Sequence, residues 1–416
     1  MWSTIKTVAS LLSSYGLLML ANAMFSTLLG LRSKLEGFST EVTGVIMAGF
    51  FFGMLLGAIY AVRVVASAGH IRAFAAFASI MSVSVLAHVL IIDAIAWFFL
   101  RAIAGFCMAG MVMIVESWLN ERSTNTNRGR VLSLYMMTNY LGGGVGQFLL
   151  TVANPDSFQL FSIASIIFSV ALVPILLTRA TAPKPSVPER MKFSSLFKIS
   201  PVGVLGTLIA GMTNASFNSM GPIFAASIGL TITQISTFMA SILLGGMLLQ
   251  FPVGRLSDRF DRRGTLIISA LLTSLAAAGI IWASDQSSAI ILFAIGATYG
   301  GFCYTIYPLS SAQVNDMADQ DRLVQVSAGL LLAYGTGASI GPIIASQIMG
   351  VMGPAGLFYF IAACAVFLAL FALLRIIQRP SGEHKASFLP LGSIGTSSKQ
   401  LYSTVQASQN KRSTKS

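Results

Sequence analysis

NAMF, residues 22–25, and NASF, residues 214–217, are the two stretches that decide the fold. They begin a series of matches that run in the same order at a nearly constant spacing. Gly37-Phe38-Ser39 is paralleled by Gly229-Leu230-Thr231, and Gly53-Met54-Leu55-Leu56 by Gly246-Met247-Leu248-Leu249. Gly105-Phe106-Cys107 returns as Gly301-Phe302-Cys303, and Gly142 and Gly146 return as Gly337 and Gly341. Each match is short, but an ordered series of them marks an internal duplication. The sequence predicts two copies of one structural unit.

The unit is built for a bilayer. Of 416 residues, 55% are hydrophobic and only 10% are charged, where a soluble domain carries roughly 25%; the mean hydropathy is +0.78. A spanning helix needs about 20 mostly apolar residues. Twelve runs qualify, spans 1 to 12, at about 8–31, 42–66, 71–92, 94–118, 131–153, 158–178, 202–226, 232–254, 265–284, 288–312, 325–350 and 356–377. Six spans per copy is an even number, so both copies enter the membrane the same way up. The expected fold class is an all-α membrane protein of 12 transmembrane helices in two parallel six-helix repeats. Its parts are an N-terminal half at 1–178, a cytoplasmic linker at 179–201, a C-terminal half at 202–378 and a disordered cytoplasmic tail at 379–416.

Charge placement supports the count. With the N-terminus inside, all of the 26 Lys and Arg fall on the cytoplasmic side except Arg32, Lys34 and Arg101. That partition follows the positive-inside rule and accounts for the net charge of +12 without a nucleic-acid partner. Ala21-Asn22-Ala23 after an apolar run resembles a signal-peptide cleavage site, but the run extends to Leu31, too long for an h-region, and the repeat claims it as a helix. Cys107, Cys303 and Cys364 lie in apolar spans without metal-ligand spacing and read as packing residues. Three prolines, Pro183, Pro185 and Pro188, make the linker a loose tether.

One knot of charge stands out: GRLSDRFDRR, residues 254–263, where span 8 leaves the membrane. It resembles the loop signature of the major facilitator superfamily, with Gly254, Asp258, Arg259, Arg262 and Arg263 in the signature positions and Asp261 in place of the usual glycine. Arg101-x-x-x-Gly105 resembles the same superfamily's span 4 signature. ESWLNERSTNTNRGRVLSLYMM, residues 116–137, with RAIAGF before it, is similar to the YcaD-type branch, a branch of transporters. The resemblance covers nearly the whole membrane portion and names no substrate. In the family this Asp faces a helix start in the opposite half. For Asp258 that implies the start of span 5, near Arg128 and Arg130, as a cytoplasmic gate contact; the alternative is a solvated loop that fixes topology. The matching first-half loop, residues 57–72, has Ala66 at the Asp position.

The interior holds few ionisable groups. Arg101 is the single cation within a span, and a charge at that depth costs a few kcal/mol, of order ~3, unless paired or hydrated. It either faces the central cavity or holds helix packing. Glu116 is fifteen residues further along the same helix, roughly 22 Å away at 1.5 Å per residue, so the two cannot pair directly. Glu116 is either a structural partner of Arg128 or Arg130 or a protonatable coupling site. His88, in span 3, reads as support. Asp93 and Glu41 fall at periplasmic helix ends and are expected to meet water. The fold analogy points to spans 1, 4, 7 and 10 for the binding site. It selects Asn22, Ser26, Asn214, Asn218, Tyr299, Tyr304 and Tyr307, with the repeat mates Asn22 and Asn214 facing each other. That set suits a neutral, amphipathic or weakly anionic small solute.

Two strings imitate enzyme motifs. Gly337-Ala338-Ser339-Ile340-Gly341 fits G-x-S-x-G but lies in a spanning run rather than a strand-to-helix turn. Gly142-Gly143-Gly144 lacks the Gly-Lys-Ser/Thr ending of a phosphate loop. Gly142/Gly146 and Gly337/Gly341-Pro342 resemble the family's antiporter motif, with Gln147 where a second Pro would stand; this leans toward export. The expectation is a monomeric, cofactor-free secondary transporter of the bacterial plasma membrane, both termini cytoplasmic, moving a small solute by rocking two halves in alternating access under proton or ion coupling. The rival expectation is a transporter-like sensor or scaffold that binds a ligand without moving it.

Overall fold

The computed structural model describes residues 2–123, 127–177, 191, 193–286, 288–319 and 322–378, without the side chains of 2–7 and of Arg128. Most of the predicted linker and the whole predicted tail lie outside the described residues. Regular structure among the described residues is helical throughout. The first half runs α1 (Trp2–Leu35), α2 (Thr40–Ala68), α3 (His70–Leu90), α4 (Ala94–Arg122), α5 (Arg128–Phe148), α6 (Gln159–Val170) and α7 (Val173–Leu176). A short helix, α8 (Phe193–Ile199), precedes the second half. That half runs α9 (Pro201–Ser227), α10 (Ile232–Arg259), α11 (Arg262–Ser284), α12 (Ala289–Cys303), α13 (Ile306–Met317), α14 (Leu323–Met352) and α15 (Gly356–Gln378).

Two predicted single spans are broken helices. Span 6 is α6 and α7, with Pro174 in the first turn of α7. Span 10 is α12 and α13, with a turn at Tyr304–Thr305. Pro308 explains the second break: it has no N–H for the Tyr304 carbonyl four residues back, and its ring would strike that carbonyl. Among the described residues ten helical runs are long and apolar enough to cross a membrane. The two remaining spans, α5 and α9, are rich in Gly, Ser, Thr and Asn. α9 is buried along almost its whole length, so protein rather than lipid surrounds its polar groups.

The halves repeat their backbone devices. Gly37 and Gly229 enter the first hairpin of each half with φ of 78° and 84°, the left-handed region that favours glycine. Ser39 and Thr231 then cap α2 and α10. Where α2 meets α4, Gly53 abuts the Ala102 carbonyl and Gly105 abuts the Phe50 carbonyl, with no room for a Cβ. In the second half Gly245 abuts the Ala297 carbonyl and Gly300 the Ile242 carbonyl. These contacts correct the sequence register by one residue: Gly53 answers to Gly245 and Gly105 to Gly300. Each second-half site is a Gly-Gly pair, and Gly246 and Gly301 instead face the side chains of Tyr304 and Leu249.

The halves touch on the face away from the basic loops. Gly44 of α2 packs without space for a Cβ against Ser346 and Pro342 of α14, and Gly350 of α14 packs likewise against Glu41. Lys34 Nζ donates to Ser227 Oγ at 3.1 Å. Glu41, expected in water, is thus half-buried against the other half. Asp93 is exposed and caps α4, accepting from the Ala96 N–H at 2.8 Å. At mid-depth Leu55 meets Gly335, and Tyr140 donates to Gln250 Oε1 at 3.3 Å. The end of the linker is docked rather than loose: Leu196 of α8 is fully buried with Val204, Val314, Val326 and Leu330 of the second half.

Candidate functional site

A cavity of about 50 Å³ lies between the halves. On α1 it is lined by Met19, Asn22, Ala23, Ser26 and Thr27, whose three- and four-residue spacing puts them on one helix face. Asn139, Gly143 and Gln147 line it from α5 at the same spacing, and Phe50 and Phe51 from α2. The second half contributes Asn218 of α9 and Met239 and Leu243 of α10. One water needs roughly 10–15 Å³ of such space. This conformation therefore holds a few waters, and the halves must part to admit a larger solute.

The polar wall is partly self-satisfied. Thr27 donates to Gln147 Oε1 at 2.8 Å, and Gln147 Nε2 donates to the Ala23 carbonyl at 3.5 Å. Asn218 Nδ2 donates to the Asn214 carbonyl at 2.8 Å. Asn22 Oδ1 accepts nothing from the described residues.

Arg101, in α4, stands behind this wall with 1% of its surface exposed. Its Nη2 donates to Ser26 Oγ at 3.3 Å. Its Cζ lies 4.5 Å from the centroid of Phe50 and 5.6 Å from that of Phe25, close enough for attraction to the ring faces. Nε and Nη1 find no hydrogen-bond acceptor among the described residues. His88 of α3 is buried next to the same Phe25 ring at 5.3 Å, its Nδ1 against the Ser84 carbonyl at 2.7 Å.

The other expected binding residues sit in the second half away from the cavity lining. Asn214 Nδ2 donates to Tyr334 OH at 3.4 Å, and Cys303 Sγ donates to Asn214 Oδ1 at 3.4 Å. Asn214 is thus turned into its own half and does not meet Asn22 across the cavity. Tyr299 is packed among Phe217 and Phe358. Tyr304 covers Gly246, and Tyr307 packs on Tyr334 at 4.8 Å between centroids. Glu116 is 3% exposed and accepts a hydrogen bond from Tyr135 OH at 2.6 Å. Tyr135 in turn stacks on Tyr15 at 4.3 Å, and Tyr15 OH accepts from Asn139 Nδ2. A chain of polar contacts so leads from Glu116 to a cavity residue.

At the basic face, Arg262 opens α11 and is almost fully buried. Its Nε lies 2.5 Å from Asp316 Oδ2 of α13 and its Nη2 lies 3.4 Å from Asp258 of α10. Arg263 pairs with Asp261 at 3.6 Å. Asp261 accepts from the Arg263 N–H at 3.0 Å and so caps α11, which accounts for an acid where the signature has glycine. Gly254 is buried, its carbonyl accepting from Ser257 Oγ at 2.9 Å, while Arg259 and Arg130 are exposed. The Arg128 side chain lies outside the described residues.

Sequence reasoning passed over Thr27, Asn139, Gln147, Met239 and Leu243. Asn139 and Gln147 carried a signal: both are amides four residues either side of Gly143 in a span expected to pack, and Gln147 already broke the glycine-proline pattern. Met239 and Leu243 carried none, since an apolar residue reads alike facing lipid, core or cavity.

A family model described as the Major Facilitator Superfamily matches the chain twice, over residues 11–204 and 203–406. The chain is 30% identical over 372 residues to the "Uncharacterized MFS-type transporter YcaD" of Escherichia coli O17:K52:H18, covering 89% of this chain and 96% of that one. The relative of the same name in Shigella dysenteriae serotype 1 gives the same identity and coverage. Among solved structures, the nucleoside transporter NupG superposes with a TM-score of 0.72 at 12% identity, over 90% of this chain and 99% of that one. A bacterial homolog of the human lysosomal transporter Spinster, inward-facing and unoccupied, superposes with a TM-score of 0.68 at 14% identity, over 98% of each chain. At these identities the two structures speak for the fold alone.

Proposed function

The chain belongs to the Major Facilitator Superfamily, and on that premise we propose that it is a secondary transporter that moves a small solute by rocking its two halves. One observation carries the reading: a cavity between the repeats whose wall is shared by Asn22 and Ser26 of one half and Asn218 and Met239 of the other. A site built from both halves changes its exposure when they rock. In this reading the basic face is cytoplasmic, as the positive-inside rule requires, and the membrane is the bacterial inner membrane. Asn22, Ser26, Asn218 and Arg101 are the binding set, with Asn214, Tyr299, Tyr304 and Tyr307 shaping the second half behind it. Glu116 is the candidate proton carrier, because it is a buried carboxylate joined by hydrogen bonds and stacking to the cavity. Asp258, held by Arg262, is the cytoplasmic gate contact toward the start of α5 near Arg128 and Arg130; Gly254, Arg259 and Arg263 shape its loop. The glycines of α5 and α14 favour export.

The contact of Glu41 with Gly350 gives a test that needs no substrate. Glu41→Cys with Gly350→Cys, which replaces the carboxylate filling that gap, is expected to crosslink in membranes and to trap the far face shut. Single cysteines in the cavity wall then lose labelling from that face and keep it from the basic face. Labelling from both faces unchanged by the crosslink would end the alternating-access reading.

A further inference from the structure

We propose that the solute is a small organic monocarboxylate and that its carboxylate docks on Arg101. The proposal deepens the transport reading and rests on it. Arg101 is a cation with 1% of its surface exposed. No ion pair among the described residues involves it. Burying an unpaired charge is costly, and a charge within a span ordinarily meets a partner or a water-filled path. Here the protein supplies two ring faces and one hydroxyl, and leaves Nε and Nη1 without acceptors. Glu116 cannot serve, being about four helical turns further along α4.

The geometry says where an anion would come from. Ser26 and Phe50 both line the cavity, and both touch the guanidinium. Each therefore stands both at the cavity wall and against Arg101. Ser26 Oγ holds Nη2, the nitrogen shared by both edges of the guanidinium fork that can grip a carboxylate at two points. A carboxylate that displaced the serine would bond Nη2 together with either Nη1 or Nε, and would satisfy donors the protein leaves open. The rest of the wall is neutral. Amides of Asn22, Asn139, Gln147 and Asn218 alternate with Met19 and Met239. One cation sets one negative charge, and the thioether and aromatic surfaces suit an apolar body.

Formate is the probe, because it is the smallest carboxylate. Formamide is its neutral counterpart, and sodium chloride matches the ionic strength. Thermal unfolding of the purified full chain is measured against each. Formate is expected to raise the midpoint saturably, and formamide and chloride are not. Arg101→Gln is expected to weaken the formate response by at least about tenfold, as removal of one partner of a buried charge pair does, and Arg101→Lys to retain part of it. An absent formate response, an equal response to formamide, or an undiminished response in Arg101→Gln would each overturn the proposal. The wild-type comparison stands even where Arg101→Gln fails to fold. The Glu41–Gly350 crosslink separates the two levels. Alternating labelling with no formate effect removes the carboxylate and leaves the transporter; loss of alternating labelling removes the transport reading itself.

Discussion

The two halves share a backbone and divide the chemistry. In the register fixed by the glycine contacts, Arg101 answers to Gly296, His88 to Ile280 and Gln147 to Pro342. Carried through the break in span 10, the register sets Glu116 against Ser311. The buried Arg, His and Glu side chains of the membrane interior, among the described residues, therefore lie in the first half. At the basic face the assignment reverses. Asp258, Arg262 and Asp316 of the second half answer to Ala66, His70 and Glu121 of the first. There His70 Nε2 lies 3.5 Å from Ser117 Oγ, and no ion pair among the described residues involves it. A duplicated unit with matching helix contacts has put a buried cation outside any ion pair among the described residues in one copy and a charge-linked corner in the other. Backbone packing constrains both copies alike, whereas a cavity shared by the two halves leaves each copy free to lose what the other supplies.

The largest effect that follows is at the corner. Arg262→Gln removes the cation that lies 2.5 Å from Asp316, and removing one partner of a buried pair costs about 3–5 kcal/mol. The matching change, His70→Gln, loses a marginal hydrogen bond and is expected to cost less than about 1 kcal/mol. Thermal midpoints of the two purified variants check the contrast. Equal losses would break the claim that the corner is one-sided.

The glycine register gives the next test. Gly300→Ala drives a Cβ into a backbone carbonyl that cannot step aside, and overpacking of that kind costs about 1–3 kcal/mol. Gly105→Ala in the first half should cost the same. Gly301→Ala meets the side chain of Leu249 rather than a backbone carbonyl, a neighbour that gives more readily, and should cost less than Gly300→Ala. If Gly301→Ala proved the more damaging, the one-residue correction would fall and the plain sequence match would stand.

The reason that match misled is physical. A glycine is legible in a sequence as a place where something comes close, but its neighbour glycine is equally so, and only the approaching carbonyl distinguishes Gly300 from Gly301. The spans, the duplication and the lone depth of Arg101 were legible because apolar length and charge are one-dimensional quantities. The break at Tyr304 was implicit in Pro308 but hidden by an uninterrupted apolar run. The cavity was legible only in part. Asn22, Ser26 and Asn218 were selected by analogy of position, while Asn214, chosen by the same reasoning, turned inward because Tyr334 and Cys303 bind it there. The direction a side chain takes from a buried helix depends on partners from other helices, here the two that carry Tyr334 and Cys303, and no periodicity within one helix encodes them.

The smallest test concerns the first hairpin of each half, where the repeats agree almost completely. Ser39 accepts from the Val42 N–H at 3.3 Å, and Val42, at the box position, has no polar group to return a bond to the Ser39 N–H. Thr231 accepts from the Gln234 N–H at 3.3 Å, and Gln234 Oε1 accepts from the Thr231 N–H at 2.9 Å. The second half thus has a reciprocal capping box where the first has a single cap. A lost cap costs about 1 kcal/mol. Thr231→Ala removes a cap and strands the returning glutamine, so it should exceed Ser39→Ala by a few tenths, roughly 0.3–0.5 kcal/mol. Gln234→Val, which copies the first-half residue Val42 into the second, should erase most of that difference when the pair of alanine variants is measured again in its background. A difference that survives Gln234→Val would mean the two hairpins differ for a reason other than the box, and the symmetry of the backbone would then be less complete than the glycine contacts imply.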